Sequence, residues 1–105
     1  MPNGGDKNWV RLCAAVDGFR ARYGAWPTKV RMFPAVLDNL RNHVFDPPSF
    51  ACLESKLNLV EDDAAMIAED EEGRSYNYGA EGFPKVEPDM RAQDWLGVRP
   101  RPEAY

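Results

Sequence analysis

The residue types that most often do chemistry in enzymes are scattered along this chain of 105 residues. His43 is the only histidine, and Cys13 and Cys52 lie far apart in the sequence, without a Cys-x-x-Cys pair. A zinc site needs several converging Cys, His or carboxylate ligands, and a reactive cysteine needs a neighbour that lowers its pKa. We therefore expect no metal, no cofactor and two buried free thiols.

Acidic residues form two short runs in the second half of the chain, residues 61–63 and 69–72. The spacing of a calcium-binding loop, with its central glycine and terminal glutamate, is absent from both runs. If the runs occupy turns at opposite ends of adjacent strands, their carboxylates do not converge on one cation. The sequence predicts solvated acidic turns rather than a magnesium or calcium site.

The second acidic run is followed closely by two tyrosines, and this spacing predicts a partner-binding surface. Asp70, Glu71 and Glu72 would lie beside Tyr76 or Tyr78 and face a basic partner protein. Charges on such a surface speed the encounter, and an aromatic side chain supplies contact area. These five residues are the predicted interaction site.

A second candidate site lies between Trp26 and Pro34, where side chains alternate and Lys29 and Arg31 share one face. The order strand, helix, break and helix over residues 28–57 resembles the ribbon-helix-helix DNA-binding module. That resemblance implies that Lys29 and Arg31 contact base edges in the major groove. The helix after Pro34 would then begin near phosphate.

Three features of the chain favour another interpretation of the same stretch. A complete helix precedes the strand, and the break at 46–48 lacks the small turn residues usual in that module. The second half is acidic, whereas nonspecific DNA affinity depends on basic residues that displace counterions. We therefore expect Lys29 and Arg31 to form the solvent-facing side of a sheet strand.

The element that precedes this strand is a long amphipathic helix from Asn8 to Tyr23. Its apolar residues recur at helical spacing, and Gly24 supplies a residue that readily ends a helix in the left-handed conformation. Gly18 interrupts the apolar stripe and weakens the helix by about 1 kcal/mol relative to alanine. Close packing against a neighbouring element would explain its presence.

Two further helices follow the strand. Pro34 begins a helix that runs to Val44, and the prolines at 47 and 48 break the chain before another helix through Leu57. Asp46 or Ser49 is positioned to cap this third helix. Residues 88–96 are predicted to form a short C-terminal helix that ends at a glycine.

Three short strands, at residues 57–60, 65–69 and 74–78, predict an antiparallel meander. The strand after Pro27 has room to join it as a parallel neighbour, because the two intervening helices allow a crossover. The predicted core consists of Leu12, Val16, Phe19, Leu37, Leu40, Phe50, Leu53, Leu59, Ile67 and Tyr76.

These elements predict a small α+β domain, with an N-terminal helix, a strand, two helices, the meander and a short C-terminal helix packed on one sheet face. The length predicts a single globular domain over 1–105, with flexible ends at 1–6 and 99–105. No apolar run approaches the ~20 residues that span a bilayer. We expect a soluble, cytoplasmic protein that does not enter membranes.

The function predicted from these observations is that of a non-catalytic accessory or interaction domain, which binds a protein partner or a second copy through the acidic, tyrosine-containing meander. The first alternative is a nucleic-acid-binding regulator that uses Lys29 and Arg31. The second is a small enzyme whose active site is not evident from residue spacing, because no nucleophile lies near a base in the sequence.

Overall fold

A computed structural model describes residues 4–101 of the chain. Most of the ends that the sequence predicts to be flexible, residues 1–3 and 102–105, lie outside the described residues. The last described residue is bound to the rest of the domain, since the backbone N–H of Arg101 donates to the carbonyl oxygen of Val44 at 2.6 Å.

Helix α1 spans Gly4–Tyr23 and begins earlier than the predicted Asn8. It ends as predicted, because Gly24 adopts a φ of +71° and its N–H donates to the carbonyl oxygen of Arg20. The predicted apolar stripe is confirmed, and three of its large residues have no exposed surface: Leu12, Val16 and Phe19.

Strand β1, Lys29–Met32, leads into helix α2, Pro34–Asn39, which continues as a π-helical turn over Leu40–Val44. Helix α3 spans Pro47–Lys56. The cap predicted for α3 is Asp46, whose carboxylate accepts the backbone N–H of Ser49 at 2.8 Å.

The sheet has four strands in the order β2-β1-β3-β4, where β2 is Asn58–Glu61, β3 is Ile67–Glu69 and β4 is Ser75–Asn77. β1 pairs with β2 in parallel and with β3 in the antiparallel sense. The predicted meander is therefore wrong in one respect, because β1 separates β2 from β3. The crossover through α2 and α3 brings β2 to the outer edge of β1, and only β3 and β4 form a hairpin.

One sheet face carries the core, and the helices cover it. Val30, Met32, Ala68 and Tyr76 point from the strands into this core. Most of the predicted core is confirmed, but Leu59 is only partly buried and Ile67 lies on the opposite face. The reason is register: side chains alternate along β3, so burial of Ala68 turns Ile67 outward.

Two short helices complete the chain: α4, Tyr78–Glu81, and α5, Ala92–Leu96. α4 was not predicted, since its glycine suggested a loop. None of the helices within residues 4–101 is long and apolar enough to cross a bilayer.

Stacked tryptophans attach α5 to the loop after α1. The rings of Trp26 and Trp95 lie 4.4 Å apart and nearly parallel, at 3°. Arg20 lies over the Trp26 ring at 5.0 Å, and Lys56 lies over the Trp95 ring at 5.4 Å. These contacts hold together parts of the domain that are distant in sequence.

Gly18 is a point of close approach between α1 and β4. A Cβ at position 18 would lie 2.3 to 2.5 Å from three ring atoms of Tyr76. The predicted reason for this glycine is therefore confirmed: it leaves room for a neighbouring element. The ring of Tyr76 is buried against the helix backbone, with 4% of the residue exposed.

Gly18→Ala should destabilise the protein, although alanine favours the helix by about 1 kcal/mol. The added methyl group would displace the Tyr76 ring, and overpacking of this kind typically costs 1 to 3 kcal/mol. Urea titration should show a lower midpoint with an unchanged slope. The double variant Gly18→Ala/Tyr76→Leu should lose less stability than the sum of the losses in the two single variants. An unchanged midpoint in Gly18→Ala would show that the ring moves without cost.

Candidate functional site

Asp70 closes the turn between β3 and β4. Its carboxylate accepts the backbone N–H groups of Glu72 and Arg74, both at 3.0 Å, and Nε of Arg74 at 2.7 Å. Burial opposes ionisation, but these hydrogen bonds hold the pKa of Asp70 below its usual value. Three carboxylates were predicted to bind a partner. Asp70 is bound within its own turn, while Glu71 and Glu72 are exposed.

The two predicted tyrosines lie in different surroundings. Tyr76 belongs to the core, whereas Tyr78 is half-buried at the start of α4 and packs edge-on against Phe83, with ring centres 5.6 Å apart. Tyr78 and Asp70 lie at opposite ends of the β3-β4 hairpin. The structure does not bring the carboxylates of the turn and an exposed tyrosine into one patch.

Lys29 and Arg31 point to the solvent side of the sheet, as predicted, but carboxylates neutralise them there. Arg31 forms two hydrogen bonds with Glu69, at 2.8 and 3.2 Å, and a third with Asp62 at 2.7 Å. The ammonium group of Lys29 lies 3.4 Å from Glu69. This face therefore has paired charges rather than a free cationic surface, which disfavours contact with phosphates.

The residue types that bind metals stay apart in the part of the chain that the structure describes. No three His, Cys, Asp or Glu side chains there are grouped to hold a metal ion. Both cysteines are free. The prediction that both are buried is wrong for Cys52, which is exposed on α3, and Cys13 is only partly buried.

The largest exposed apolar side chains are concentrated in residues 82–91, the irregular segment between α4 and α5. Phe83 is 62% exposed, Val86 65% and Met90 48%, and Val10 on the adjacent helix α1 is 42% exposed. Isolated exposed apolar residues are common, but a group of them around a cleft is typical of an interaction surface.

This segment is attached to the domain at both ends. The hydroxyl of Tyr76 donates to the carbonyl oxygen of Gly82 at 2.7 Å. At the other end, the backbone N–H of Ala92 donates to Oδ1 of Asp17 at 2.6 Å. The segment therefore lies alongside α1 as a wall with two fixed ends.

Two cavities open between helix α1 and residues 82–91, and we refer to them together as the α1 groove. The larger has a volume of about 480 Å³ and lies beside Gly18 and Arg22. The smaller has a volume of about 270 Å³ and lies over Asp17. Phe83 and Pro84 line both cavities, so the two are neighbours along the helix.

The groove has depth because small residues lie along this side of α1. Ala14, Gly18 and Ala21 recur at intervals of three to four residues, which places them on one face of a helix. The short side chains of Ala14 and Ala21 leave space between the helix and the segment, while the Tyr76 ring occupies the space beside Gly18. Asp17 lies on the same face and, among residues 7–23 of α1, supplies the one acidic side chain that lines the groove.

Asp17 is an unusual carboxylate, because only 8% of the residue is exposed and it has no ion-pair partner among the described residues. The charge of Arg91 acts on Asp17, but the Arg91 guanidinium pairs with Glu87 at 2.7 Å. Burial raises the pKa of Asp17, although the hydrogen bond from Ala92 and the charge of Arg91 oppose this rise. Oδ2 of Asp17 makes no hydrogen bond within the described residues, whereas Oδ1 is bonded.

Cys13 lies one helical turn from Asp17 and also lines the smaller cavity. Its burial and the negative charge of Asp17 strongly raise the pKa of its thiol. Because the thiolate is the reactive form, this cysteine is unsuited to nucleophilic chemistry at neutral pH. The smaller cavity offers a buried negative charge and apolar walls rather than a catalytic pair.

Sequence reasoning missed this site, although weak signals were present. An acid among small residues on one helix face is visible in the sequence from 14 to 21. Apolar residues interleaved with Pro84 and Pro88 are also visible. Neither pattern shows that the two regions are in contact, because helix α1 and the segment are far apart in the chain.

Comparison of the chain with protein-family models, with curated proteins and with solved structures found no significant match. The function is therefore inferred from the side chains of the described residues.

Asp70→Asn should lower the melting temperature at pH 7, because the amide cannot form the ion pair with Arg74. The pKa of Asp70 is depressed in the folded protein, so its ionised form stabilises the fold above the unfolded pKa of about 3.9. This stabilisation is lost as the pH falls from about 4 through the lower pKa that Asp70 has in the folded protein. Thermal melts at a series of pH values should show the two proteins converging in acid.

Glu72→Gln is the matched control in the same turn, because the Glu72 side chain is 74% exposed. It should melt close to wild type at every pH. Equal effects of the two changes would show that the turn does not depend on Asp70.

Proposed function

We propose that this protein is an interaction domain whose α1 groove binds a partner segment containing a lysine or arginine next to apolar residues. The observation that carries this proposal is the buried carboxylate of Asp17. One of its oxygens holds the segment through Ala92, and the other has no hydrogen-bond partner within residues 4–101. The interaction is expected with a protein rather than with nucleic acid.

A positively charged side chain from a partner would balance the negative charge of Asp17 in the smaller cavity. A buried carboxylate loses the hydration that stabilises its charge, and a well-placed cation restores part of that energy. Hydrogen bonds between charged groups are also shorter and stronger than those between neutral groups. The raised pKa of Asp17 is a sign that this charge is poorly compensated in the isolated protein.

The shape of the smaller cavity suits a long side chain. Its volume of about 270 Å³ lies just below the range of pockets for small molecules, about 300 to 1,000 Å³. Trp9, Val10 and Phe83 contribute apolar walls. The aliphatic stem of a lysine or arginine packs favourably on such walls while its charged end reaches a polar group.

The exposed apolar side chains around the groove would supply the remaining contact area. Phe83 stands between the two cavities, and Val86 borders the larger one. Aromatic residues at the centre of an interface commonly contribute most of its binding energy. Met90 adds an exposed, flexible side chain that adapts to different partners.

The two cavities differ in the charge that they accept. In the larger cavity Arg22 is paired with Glu81, and Lys85 adds a second positive charge. A cationic side chain is therefore disfavoured there and favoured over Asp17. This difference would fix the direction in which a segment lies along α1.

We infer binding rather than catalysis because the groove holds an unreactive thiol and no histidine among its lining residues. We place the interaction in the cytoplasm, where reducing conditions keep cysteines such as Cys13 and Cys52 free. Sedimentation over a range of concentrations would show whether a second copy supplies the bound segment.

Panning a displayed random peptide library on the wild-type protein should enrich lysine or arginine at one position, flanked by apolar residues. Asp17→Asn should weaken binding of the enriched peptides by about 2 kcal/mol or more, which is roughly 30-fold in Kd. Isothermal titration measures this difference. Selection of peptides without a conserved cation, or equal affinity for the variant, would contradict the proposal.

Asp63→Asn is the matched control, because it removes the same charge from an exposed loop position. It should change the affinity little, and any small change should disappear at high salt. A loss equal to that of Asp17→Asn would show that net charge, rather than the buried carboxylate, governs binding.

Asp17→Asn should melt at or above the wild-type temperature at pH 7. Its amide oxygen still accepts the N–H of Ala92, and the variant carries no buried charge. Because the folded pKa of Asp17 is raised, the wild-type protein gains stability as the pH falls through that pKa toward about 3.9. The melting temperatures should therefore converge in acid. A lower melting temperature for the variant at pH 7 would assign Asp17 a structural role instead.

A further inference from the structure

A further cavity, separate from the two cavities of the α1 groove, lies at the other end of the β3-β4 hairpin from Asp70. It has a volume of about 300 Å³ and shares no lining residue with the two groove cavities. Its walls come from the end of β1, the start of α2, the loop before β3 and the start of α4. We refer to it as the methionine cavity, after Met32 and Met66, which line it.

The inner part of the methionine cavity is apolar and adaptable. Met32 is fully buried and Met66 is 3% exposed, while Phe33 at the rim is 38% exposed. Val36 and Tyr78 contribute half-buried walls. Methionine side chains have several rotatable bonds and a polarizable sulfur atom, so they adjust to apolar ligands of different shape.

The loop that closes this cavity is held in an uncommon conformation. Met66 has a φ of +69°, which costs a residue with a side chain on the order of 1 to 3 kcal/mol. Its carbonyl oxygen accepts the backbone N–H of Tyr78 at 3.0 Å, which joins the loop to the start of α4. This hydrogen bond links two walls of the cavity.

Arg11 is the only charged residue that lines the methionine cavity. One of its guanidinium nitrogens donates to Oδ1 of Asn8 at 3.0 Å, and no carboxylate of residues 7–101 forms an ion pair with it. A guanidinium group has five N–H donors, so most of them remain available for an anion. The cavity thus combines an apolar interior with a positive charge at its edge.

We propose that the methionine cavity binds a small amphiphilic carboxylate, with its apolar tail against Met32 and Met66 and its carboxylate on Arg11. If each atom other than hydrogen takes the ~30 Å³ of a water molecule, the cavity holds about ten such atoms. A straight-chain acid such as octanoate has this size. The positive charge of Arg11 and the apolar lining together favour an anion with a tail over a neutral apolar molecule.

Octanoate titrated into protein labelled with ¹³C at the methionine methyl groups tests this site directly. The signals of Met32 and Met66 should shift in a saturable way, whereas that of Met90, which lies beside the α1 groove, should not. Octanol, which has the same tail without the charge, should bind at least tenfold more weakly. Shifts confined to Met90, or equal affinity for octanol, would overturn the proposal.

Two variants separate the contributions of charge and space. Arg11→Gln, at an exposed helix position, should weaken octanoate binding at least tenfold and leave the affinity for octanol unchanged. Lys7→Gln removes the same charge from the same helix and should have little effect. Ala65→Leu should fill the cavity and reduce binding of both ligands. Octanoate binding that survives both Arg11→Gln and Ala65→Leu would place the ligand elsewhere.

Discussion

The contact between Gly18 and Tyr76 is the constraint on which the rest of the structure depends. The aromatic ring occupies the space that a side chain at position 18 would need, so β4 packs closely on α1. From this position the tyrosine hydroxyl reaches the carbonyl oxygen of Gly82 and places the following segment beside the same helix. Asp17, the neighbour of Gly18, then binds the far end of that segment through Ala92. The absence of one Cβ atom thus positions both the sheet and the wall of the groove.

Pairing of charges inside the domain decides which of them a partner can use. Arg31 is neutralised on the outer sheet face by Glu69, and Asp70 is held within its own turn. Pairing of this kind reduces the free charge that a surface offers to a partner. Asp17 differs from them, because it is buried and no cation of the described residues pairs with it. A single buried carboxylate therefore has more capacity for specific recognition than either acidic turn.

Every helix except α4, the strands and most of the core could be predicted from the sequence, because their signals are local. Apolar residues at helical spacing in α1 and alternation in β1 each reflect the geometry of a few consecutive residues. Ile67 was misplaced because a short strand of small and apolar residues does not reveal which face is buried. The predicted pairing of β2 with β3 was also wrong, since the position of β1 between them depends on how the crossover helices pack.

The sequence by itself determined that this is a small α+β domain, that α1 ends at Gly24 and α3 is capped by Asp46, and that Lys29 and Arg31 face away from the core. Tertiary structure alone decided which charges are paired and where a groove opens. The bond between Asp17 and Ala92 joins residues that are 75 positions apart. Local propensities cannot encode such a contact, because it forms only when the packing of the whole core brings two distant segments together. The same packing buries the carboxylate, and burial raises its pKa and sets it apart from the other acidic residues of the chain.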